Sequence, residues 1–228
     1  MKLTVNKRSE WTLRSIQPCL VTLFFLCCGF GVSTGGATTW SAPQTVQCPL
    51  DQTALVFRFP KTRFLPRMTR HLDEGVVGQT YACTRCGWVG LAHDLQRPVA
   101  LSAVQRTRLL RYLSEVSVPK TVWERHERSA EIAAVIEATP MDVAHRYLQA
   151  AAAAGTQSPV YLRLRKAARD VFARISSQSV QAAYAAGELS RQLGEQAQAR
   201  THLSQVVQSN SEIGVMRTWA AQALRSLR

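Results

Sequence analysis

The sequence predicts a mostly helical protein with a small β part near its N-terminus. Two short cysteine turns, at Cys48 and Cys83, each adjoin a strand-like segment. From about Leu101 onward, apolar residues recur at helical spacing. The pairs Thr139-Pro140 and Ser158-Pro159 are typical of an N-cap followed by proline at the first helical position. These signals divide the chain into an export segment (1–37), a linker (38–47), a small cysteine module (48–98) and a helical domain (99–228).

The first 37 residues have the pattern of a signal peptide. A basic region precedes the apolar segment 19–32, and the small residues 33–37 suit cleavage after Ala37. An uncleaved anchor in the inner membrane is the alternative, whereas the large Leu26 disfavours acylation of Cys27. We therefore expect a periplasmic or cell-envelope protein, either released or held in the inner membrane.

The stronger of the two cysteine turns is Cys83-Thr84-Arg85-Cys86-Gly87. Two thiolates three residues apart on a tight turn can face one metal ion while their sulfurs accept backbone N–H bonds. A glycine directly after the second cysteine lets the chain leave the turn with positive φ. This half is typical of a zinc-binding knuckle.

The other turn has Cys48 but carries Asp51 where a second cysteine would complete four thiolates. An aspartate oxygen can ligate zinc, although sulfur and imidazole are the usual structural choices. His71 and His93 are therefore rival fourth ligands. We predict a zinc-ribbon-like module with one structural zinc ion, and its ligands are Cys48, Asp51, Cys83 and Cys86.

Segments 53–59 and 76–82 have the apolar and β-branched character of strands. Between them, residues 58–71 interleave basic and aromatic side chains around two prolines. This loop could grip a polyanion, or it could be a solvated loop with a few apolar anchors.

The helical domain starts with Ser102 as an N-cap, and a second helix covers 122 to about 136. The two proline-marked helices follow, and Gly155 ends the first of them. Residues 181–207 then predict two helices joined by a turn at Gly194, and about 212–227 forms the last helix.

The segment 181–207 matches a tetratricopeptide motif in its small and large positions. Gly187 and Ala199 are small where two helices cross, and Leu203 fills the groove between them. Because one such unit cannot bury its own faces, the neighbouring helices must complete a tetratricopeptide-like array.

Taken together, Cys48-Pro49, Cys83-x-x-Cys86-Gly87-Trp88 and the segment 187–194 resemble a bacterial family known only as a domain of unknown function. That family has Cys-Pro-x-Cys and Cys-x-x-Cys-Gly-Tyr knuckles followed by tetratricopeptide-like helices. The resemblance spans about residue 45 to the C-terminus. It implies an architecture rather than an activity, and Asp51 departs from the family pattern.

The chain has 28 basic and 15 acidic residues, a net charge of +13, which favours anionic partners such as envelope surfaces without choosing among them. The helical domain, 99–228, contains no Gly-x-Ser-x-Gly or phosphate-cradling loop. His126, His145 and His202 are isolated on helices and are interpreted as surface or partly buried side chains.

We therefore expect a non-enzymatic interaction or scaffold protein whose helical array binds another protein or peptide. A thiol–disulfide redox protein using Cys83 and Cys86 is the alternative, although such pairs usually begin a helix. Nucleic acid is disfavoured by export, and membrane contact is expected only through an uncleaved N-terminal segment.

Overall fold

The computed structural model describes residues 42–58, 79–91, 94–95, 100–209 and 214–227. They belong to one compact unit, Thr39–Arg228, whereas the unit Met1–Thr38 lies outside the described residues together with the predicted export segment. In the part of the chain that the structure describes, no helix combines the length and the apolar character needed to cross a membrane.

Two antiparallel hairpins form the β part. The first pairs β1 (Gln44–Gln47) with β2 (Ala54–Phe57), and the second pairs β3 (Thr80–Ala82) with β4 (Val89–Leu91). Strands β2 and β3 lie within the predicted segments 53–59 and 76–82. Strand β1 occupies the end of the segment assigned to the linker. Its four residues, Gln-Thr-Val-Gln, carry too little apolar pattern to predict a strand, and pairing with β2 makes them one.

Seven helices follow within the described residues. Their bounds are α1 (Ala103–Glu115), α2 (Val122–Val135), α3 (Pro140–Ala154), α4 (Pro159–Arg174), α5 (Val180–Gln192), α6 (Gln196–Gln208) and α7 (Gly214–Arg225). The prediction of a mostly helical protein with a small β part is confirmed.

Polar caps fix the helix starts. Ser102 and Thr121 each form a capping box. The cap hydroxyl accepts from the backbone N–H three residues later, and the side chain of that later residue accepts from the backbone N–H of the cap. Thr139 and Ser158 cap α3 and α4 directly before their prolines, as predicted. Helix α3 ends at Gly155, whose φ of +78° is accessible to glycine without strain.

Each helix from α2 onward packs chiefly against its neighbours in sequence, which gives a helical array. Helices α5 and α6 approach closely at Gly187, where an added Cβ would lie 2.7 Å from Leu203 Cγ. Ala199, Leu203 and Val206 of α6 are fully buried at this crossing. The small residue Gly187 therefore lies directly against the large residue Leu203 where the two helices meet.

The apolar cores show how the β part joins the helices. One core cluster combines the knuckle residues Cys48 and Cys83 with Leu109 of α1 and Ile132 of α2. A second cluster runs through α2 to α5, and a third through α5 to α7. The hairpins consequently share a core with the first two helices rather than forming a core of their own.

Candidate metal centre

Four potential metal ligands converge where the two hairpin turns meet. One ligand atom from each of Cys48, Asp51, Cys83 and Cys86 lies within 4.8 Å of all the others. The Sγ atoms of Cys48 and Cys86 are 3.5 Å apart, and Cys83 Sγ is 3.6 Å from both carboxylate oxygens of Asp51. The four predicted ligands therefore lie close enough together to hold a metal ion.

The two turns have the same hydrogen-bond pattern. In the first, the Cys48 N–H donates to Thr53 O at 2.8 Å and the Gln52 N–H donates to Cys48 O at 3.1 Å. In the second, the Cys83 N–H donates to Trp88 O at 2.8 Å and the Gly87 N–H donates to Cys83 O at 3.0 Å. Cys48 is thus equivalent to Cys83, and Asp51 to Cys86.

The equivalence extends to the residue that ends each turn. Gly87 has a φ of +75°, and Gln52 occupies the matching position with a φ of +60°. Glycine adopts this left-handed region without strain, whereas a residue with a Cβ adopts it at a cost of about 1–2 kcal/mol. The first turn therefore has the backbone shape of the second, although Asp51 and Gln52 stand where the second has a cysteine and a glycine.

The Asp51 carboxylate is held in place by its own turn. The Thr53 N–H donates to Asp51 Oδ1 at 3.0 Å. Burial alone would raise the pKa of Asp51. Hydrogen bonds to the carboxylate, from the backbone and side chain of Thr53 and from the Cys48 and Cys83 thiols, outweigh burial. They lower the pKa of Asp51 to about 2. Asp51 is therefore an anion whose Oδ1 is held by its own turn, and both of its oxygens lie 3.6 Å from Cys83 Sγ.

The thiols lie in a setting that disfavours free thiolate. Burial raises the pKa of Cys48 to about 11, although the backbone N–H groups of Asp51 and Leu50 oppose the shift. Burial likewise raises the pKa of Cys86 above its ordinary range, and the N–H of Trp88 opposes it. A bound cation would reverse this balance because a coordinating thiol is deprotonated outright. The N–H groups already aimed at the sulfurs would then stabilise thiolates.

The apolar wall around the cluster excludes water from its inner side. Cys48 and Cys83 have no exposed surface, and Trp88 is 5% exposed. The Trp88 indole lies over Gly90, where an added Cβ would come within 2.2 Å of its ring. Only Asp51 and Cys86 are half-buried, so the cluster opens to solvent on their side.

Two arginines of the helical domain bind the cysteine module and hold it against the helices. Arg106 of α1 donates to the carbonyl of Leu50 inside the first turn. Arg146 of α3 binds both carboxylate oxygens of Asp94, at 2.7 and 2.8 Å, and Asp94 in turn accepts from the Leu91 N–H at 2.7 Å. This bidentate pair is mostly buried, with side-chain exposures of 6% for Arg146 and 18% for Asp94.

The donor set suits a soft or borderline divalent metal. Three sulfurs and one carboxylate oxygen can surround an ion tetrahedrally, and Zn²⁺ accepts both ligand types. The 3.5 Å between Cys48 Sγ and Cys86 Sγ is far from the S–S bond length of about 2.05 Å, and all three cysteines are free thiols. The geometry fits a closed, four-ligand metal site better than a disulfide.

Sequence reasoning missed some supporting residues. Asp51-Gln52-Thr53 has the pattern of an aspartate that bonds the backbone two residues later, so this anchor could have been read from the sequence. Asp94 and Arg146 are 52 residues apart and carry no local signal. The rival ligands His71 and His93, and most of the loop 58–71, lie outside the described residues.

The helical histidines stay apart from this cluster. His126 is fully buried, more than the sequence interpretation allowed, because its face of α2 packs into the interior. His145 is exposed and His202 is half-buried. Within the residues that the structure describes, the only grouping of three or more possible ligands is the one at the knuckles.

Protein-family models, curated proteins and solved structures were compared with this chain, and none of them matches it.

Proposed function

We propose that the protein is a non-enzymatic scaffold in which a zinc-stabilised knuckle module caps a helical array that binds another protein. The convergence of Cys48, Asp51, Cys83 and Cys86 on one point supports this reading more than any other observation. Four protein ligands leave no coordination position for substrate, and structural zinc sites have this closed form. The ion would therefore fold the module rather than act on a substrate.

The module would act as the N-terminal cap of a tetratricopeptide-like array. Repeat arrays need a terminal element that covers the apolar face of the first helix. Cys48 and Cys83 share a core with Leu109 of α1 and Ile132 of α2. The crossing of Gly187 and Leu203 supports the tetratricopeptide reading of α5 and α6. Such arrays serve as binding surfaces for extended peptides and helices.

A thiol–disulfide function for Cys83 and Cys86 has less support. A reactive thiol has its pKa lowered by a helix N-terminus or a neighbouring cation. Cys83 and Cys86 instead lie in a turn between two strands, and burial raises the pKa of Cys86. Cys86 Sγ also lies 3.5 Å from Cys48 Sγ, on the other turn. This arrangement favours shared metal binding over a reactive pair.

The proposed location is the periplasm or cell envelope, and the support is the signal-like segment 1–37 alone. The net charge of +13 would favour contact with anionic envelope surfaces, and export would separate the protein from nucleic acid. A reporter fused after residue 45 should be active only on the outer side of the inner membrane. Reporter activity in the cytoplasm would contradict the export proposal, whereas the proposal of a metal site would still stand.

Metal analysis tests the structural role. The purified full chain should hold one zinc ion per molecule, and cobalt in its place should give the absorption of a tetrahedral thiolate site. Cys83→Ser should abolish stoichiometric binding and lower the unfolding midpoint. The matched control is Thr84→Ser, at an exposed position of the same turn that supplies no ligand, and it should change neither. A metal-free protein with a Cys83–Cys86 disulfide would instead support the redox alternative.

A further inference from the structure

A neutral polar groove lies at one end of the α5 and α6 pair, away from the metal site. It encloses about 440 Å³ between the turn that follows α4, the start of α5 and the second half of α6. This volume falls within the range of about 300–1,000 Å³ that is usual for ligand sites. Its lining consists of Ser176, Ser177, Gln178, Ser179, Val180, Ala183, Thr201, Ser204, Gln205, Gln208 and Ser209.

None of these eleven residues is ionisable, in a chain that carries 28 basic and 15 acidic side chains. Nine are serine, threonine or glutamine, and only Val180 and Ala183 are apolar. A phosphate, a nucleic acid or an acidic peptide would find no cation here to bind. The lining therefore selects for an uncharged ligand with hydrogen-bonding groups.

The hydroxyl groups present acceptors to the groove. Ser176 donates its hydroxyl hydrogen to Ala173 O at 2.9 Å, and Thr201 donates to Ala197 O at 3.1 Å. Ser209 donates to Val206 O at 2.7 Å in the same way. Because these hydrogens are used on the protein's own backbone, the oxygens retain lone pairs that can accept N–H groups from a ligand.

The glutamines supply both kinds of partner. Gln178 and Gln208 are exposed on the two sides of the groove, one in the α4–α5 turn and one at the end of α6. A primary amide can donate to a carbonyl and accept from an N–H at the same time, which matches one peptide unit. Gln205 holds the two sides together by donating to Ser176 O at 2.8 Å.

A sugar chain fits this lining less well than a polypeptide. None of the eleven lining side chains is aromatic, so the groove lacks a flat apolar platform for a sugar ring. An extended polypeptide instead presents alternating N–H and C=O groups along its length. Mixed amides and acceptor hydroxyls on two facing walls are complementary to that alternation.

We propose that this groove binds an extended, uncharged segment of another polypeptide through its main chain. The proposal rests on the function proposed above, the helical array as a binding platform, and adds where the partner binds and which chemistry it offers. Main-chain recognition would provide affinity, while the absence of charged lining residues would exclude charged side chains next to the bound segment.

A displayed library of random octapeptides, selected on the purified full chain in a mild non-ionic detergent, tests the proposal. Enriched peptides should be depleted in aspartate, glutamate, lysine and arginine. Gln178→Lys and Gln208→Lys should each raise the Kd of the enriched peptides at least about tenfold, because lysine lacks the acceptor half of the amide. The matched control is Gln196→Lys, an equally exposed position at the other end of α6 that does not line the groove.

Gln196→Lys adds the same charge and should change the Kd less than about twofold. All three variants should keep the circular dichroism spectrum and unfolding midpoint of the parent chain. Enriched peptides that bind the parent and the groove variants equally would overturn the groove assignment while the platform function stands. Failure to enrich any peptide would count against both. Displacement of the peptides by cellohexaose at lower concentration than by competing peptide would identify a saccharide site and overturn the polypeptide assignment.

Discussion

Asp51 and Cys86 occupy equivalent positions in the two knuckles, because each accepts a hydrogen bond from the backbone N–H two residues later. The donors are Thr53 for Asp51 and Trp88 for Cys86. The carboxylate thus stands in the place of a thiolate in a turn that has kept its backbone shape. An oxygen ligand at one of four positions should bind zinc or cobalt less tightly than sulfur would.

Two replacements of Asp51 should therefore change zinc affinity in opposite directions. Asp51→Cys should tighten zinc binding by at least about tenfold, and Asp51→Ala should weaken it by about 10- to 100-fold. Competition with a chelator of known affinity measures both. Asp170→Ala, at an exposed aspartate of α4, provides the control and should leave zinc affinity unchanged. Weaker binding by Asp51→Cys than by the parent would contradict a shared tetrahedral site.

The pair of Asp94 and Arg146 should matter far more than an exposed pair. Asp94→Asn leaves the buried guanidinium without its bidentate partner, and breaking such a pair costs about 3–5 kcal/mol. Because Asp142 Oδ2 remains 2.9 Å from Arg146 Nε, we expect the loss of stability to lie near the lower end of this range. Denaturant unfolding measures the effect.

The matched comparison for this pair is Glu137→Gln, which breaks the exposed contact with Arg108 and should cost less than about 1 kcal/mol. Side-chain exposures of 55% and 67% explain the small value, because water screens both charges. Similar losses for Asp94→Asn and Glu137→Gln would show that Asp94 does not fasten the module to the helices.

The crossing of Gly187 and Leu203 predicts that substitutions at the two positions are coupled. In the parent chain, Gly187→Ala places a methyl group 2.7 Å from Leu203 Cγ and should destabilise by about 1–2 kcal/mol. Leu203→Ala should cost about 2–5 kcal/mol because the side chain is fully buried. In that second background the two side-chain contacts are gone and only the backbone N of residue 203, 3.1 Å away, stays close to the added methyl group. Gly187→Ala should then cost clearly less than in the parent chain, since alanine also favours helix.

Thermal unfolding of the two single variants and the double variant measures this coupling. Gln196→Ala, at an exposed position of the same helix, should shift stability by no more than about 0.5 kcal/mol. Additive effects at Gly187 and Leu203 would mean that the two side chains do not meet, and the packed crossing of α5 and α6 would lose its support.

Glu124 predicts a dependence of stability on pH. Its carboxylate accepts from the N–H groups of Thr121 at 2.7 Å and Lys120 at 2.6 Å, and these bonds lower its pKa below the ordinary 4.5. A carboxyl with a lowered folded-state pKa stabilises the protein above the unfolded pKa and loses that contribution as pH falls through the folded one. The difference in Tm between parent and Glu124→Ala should be greatest above pH 4.5 and shrink in more acidic buffer. A difference that stays constant with pH would contradict the capping role of the charge.

Local signals predicted the helix starts and the knuckles, while long-range contacts escaped prediction. Thr139-Pro140 and Ser158-Pro159 fix helix starts within a few residues, because the cap hydroxyl and the proline act on adjacent backbone. The convergence of Cys48 with Cys83 could also be predicted, since each turn joins two paired strands and has ligands at a fixed spacing. Strand β1 was missed because its partner, rather than its own composition, stabilises it.

The contacts that fix the module on the helices had no sequence signature. Arg106 reaches a carbonyl inside the first turn, and Arg146 reaches Asp94 across 52 positions of the chain. From the sequence, many arginines are equally able to make either contact, and only the fold brings these two within reach. The same holds for His126, whose burial depends on which face of α2 meets its neighbours.

The core shared by Cys48, Cys83, Leu109 and Ile132 has a consequence for the order of assembly. Leu109, the buried residue of α1, packs in this core, so α1 should gain little stability until the hairpins are in place. On the proposed export route through a narrow channel, the chain would cross the membrane without its ion and take it up on the far side. Metal capture would then be the step that closes the N-terminal end of the array, and zinc supply in that compartment would set how quickly new chains mature.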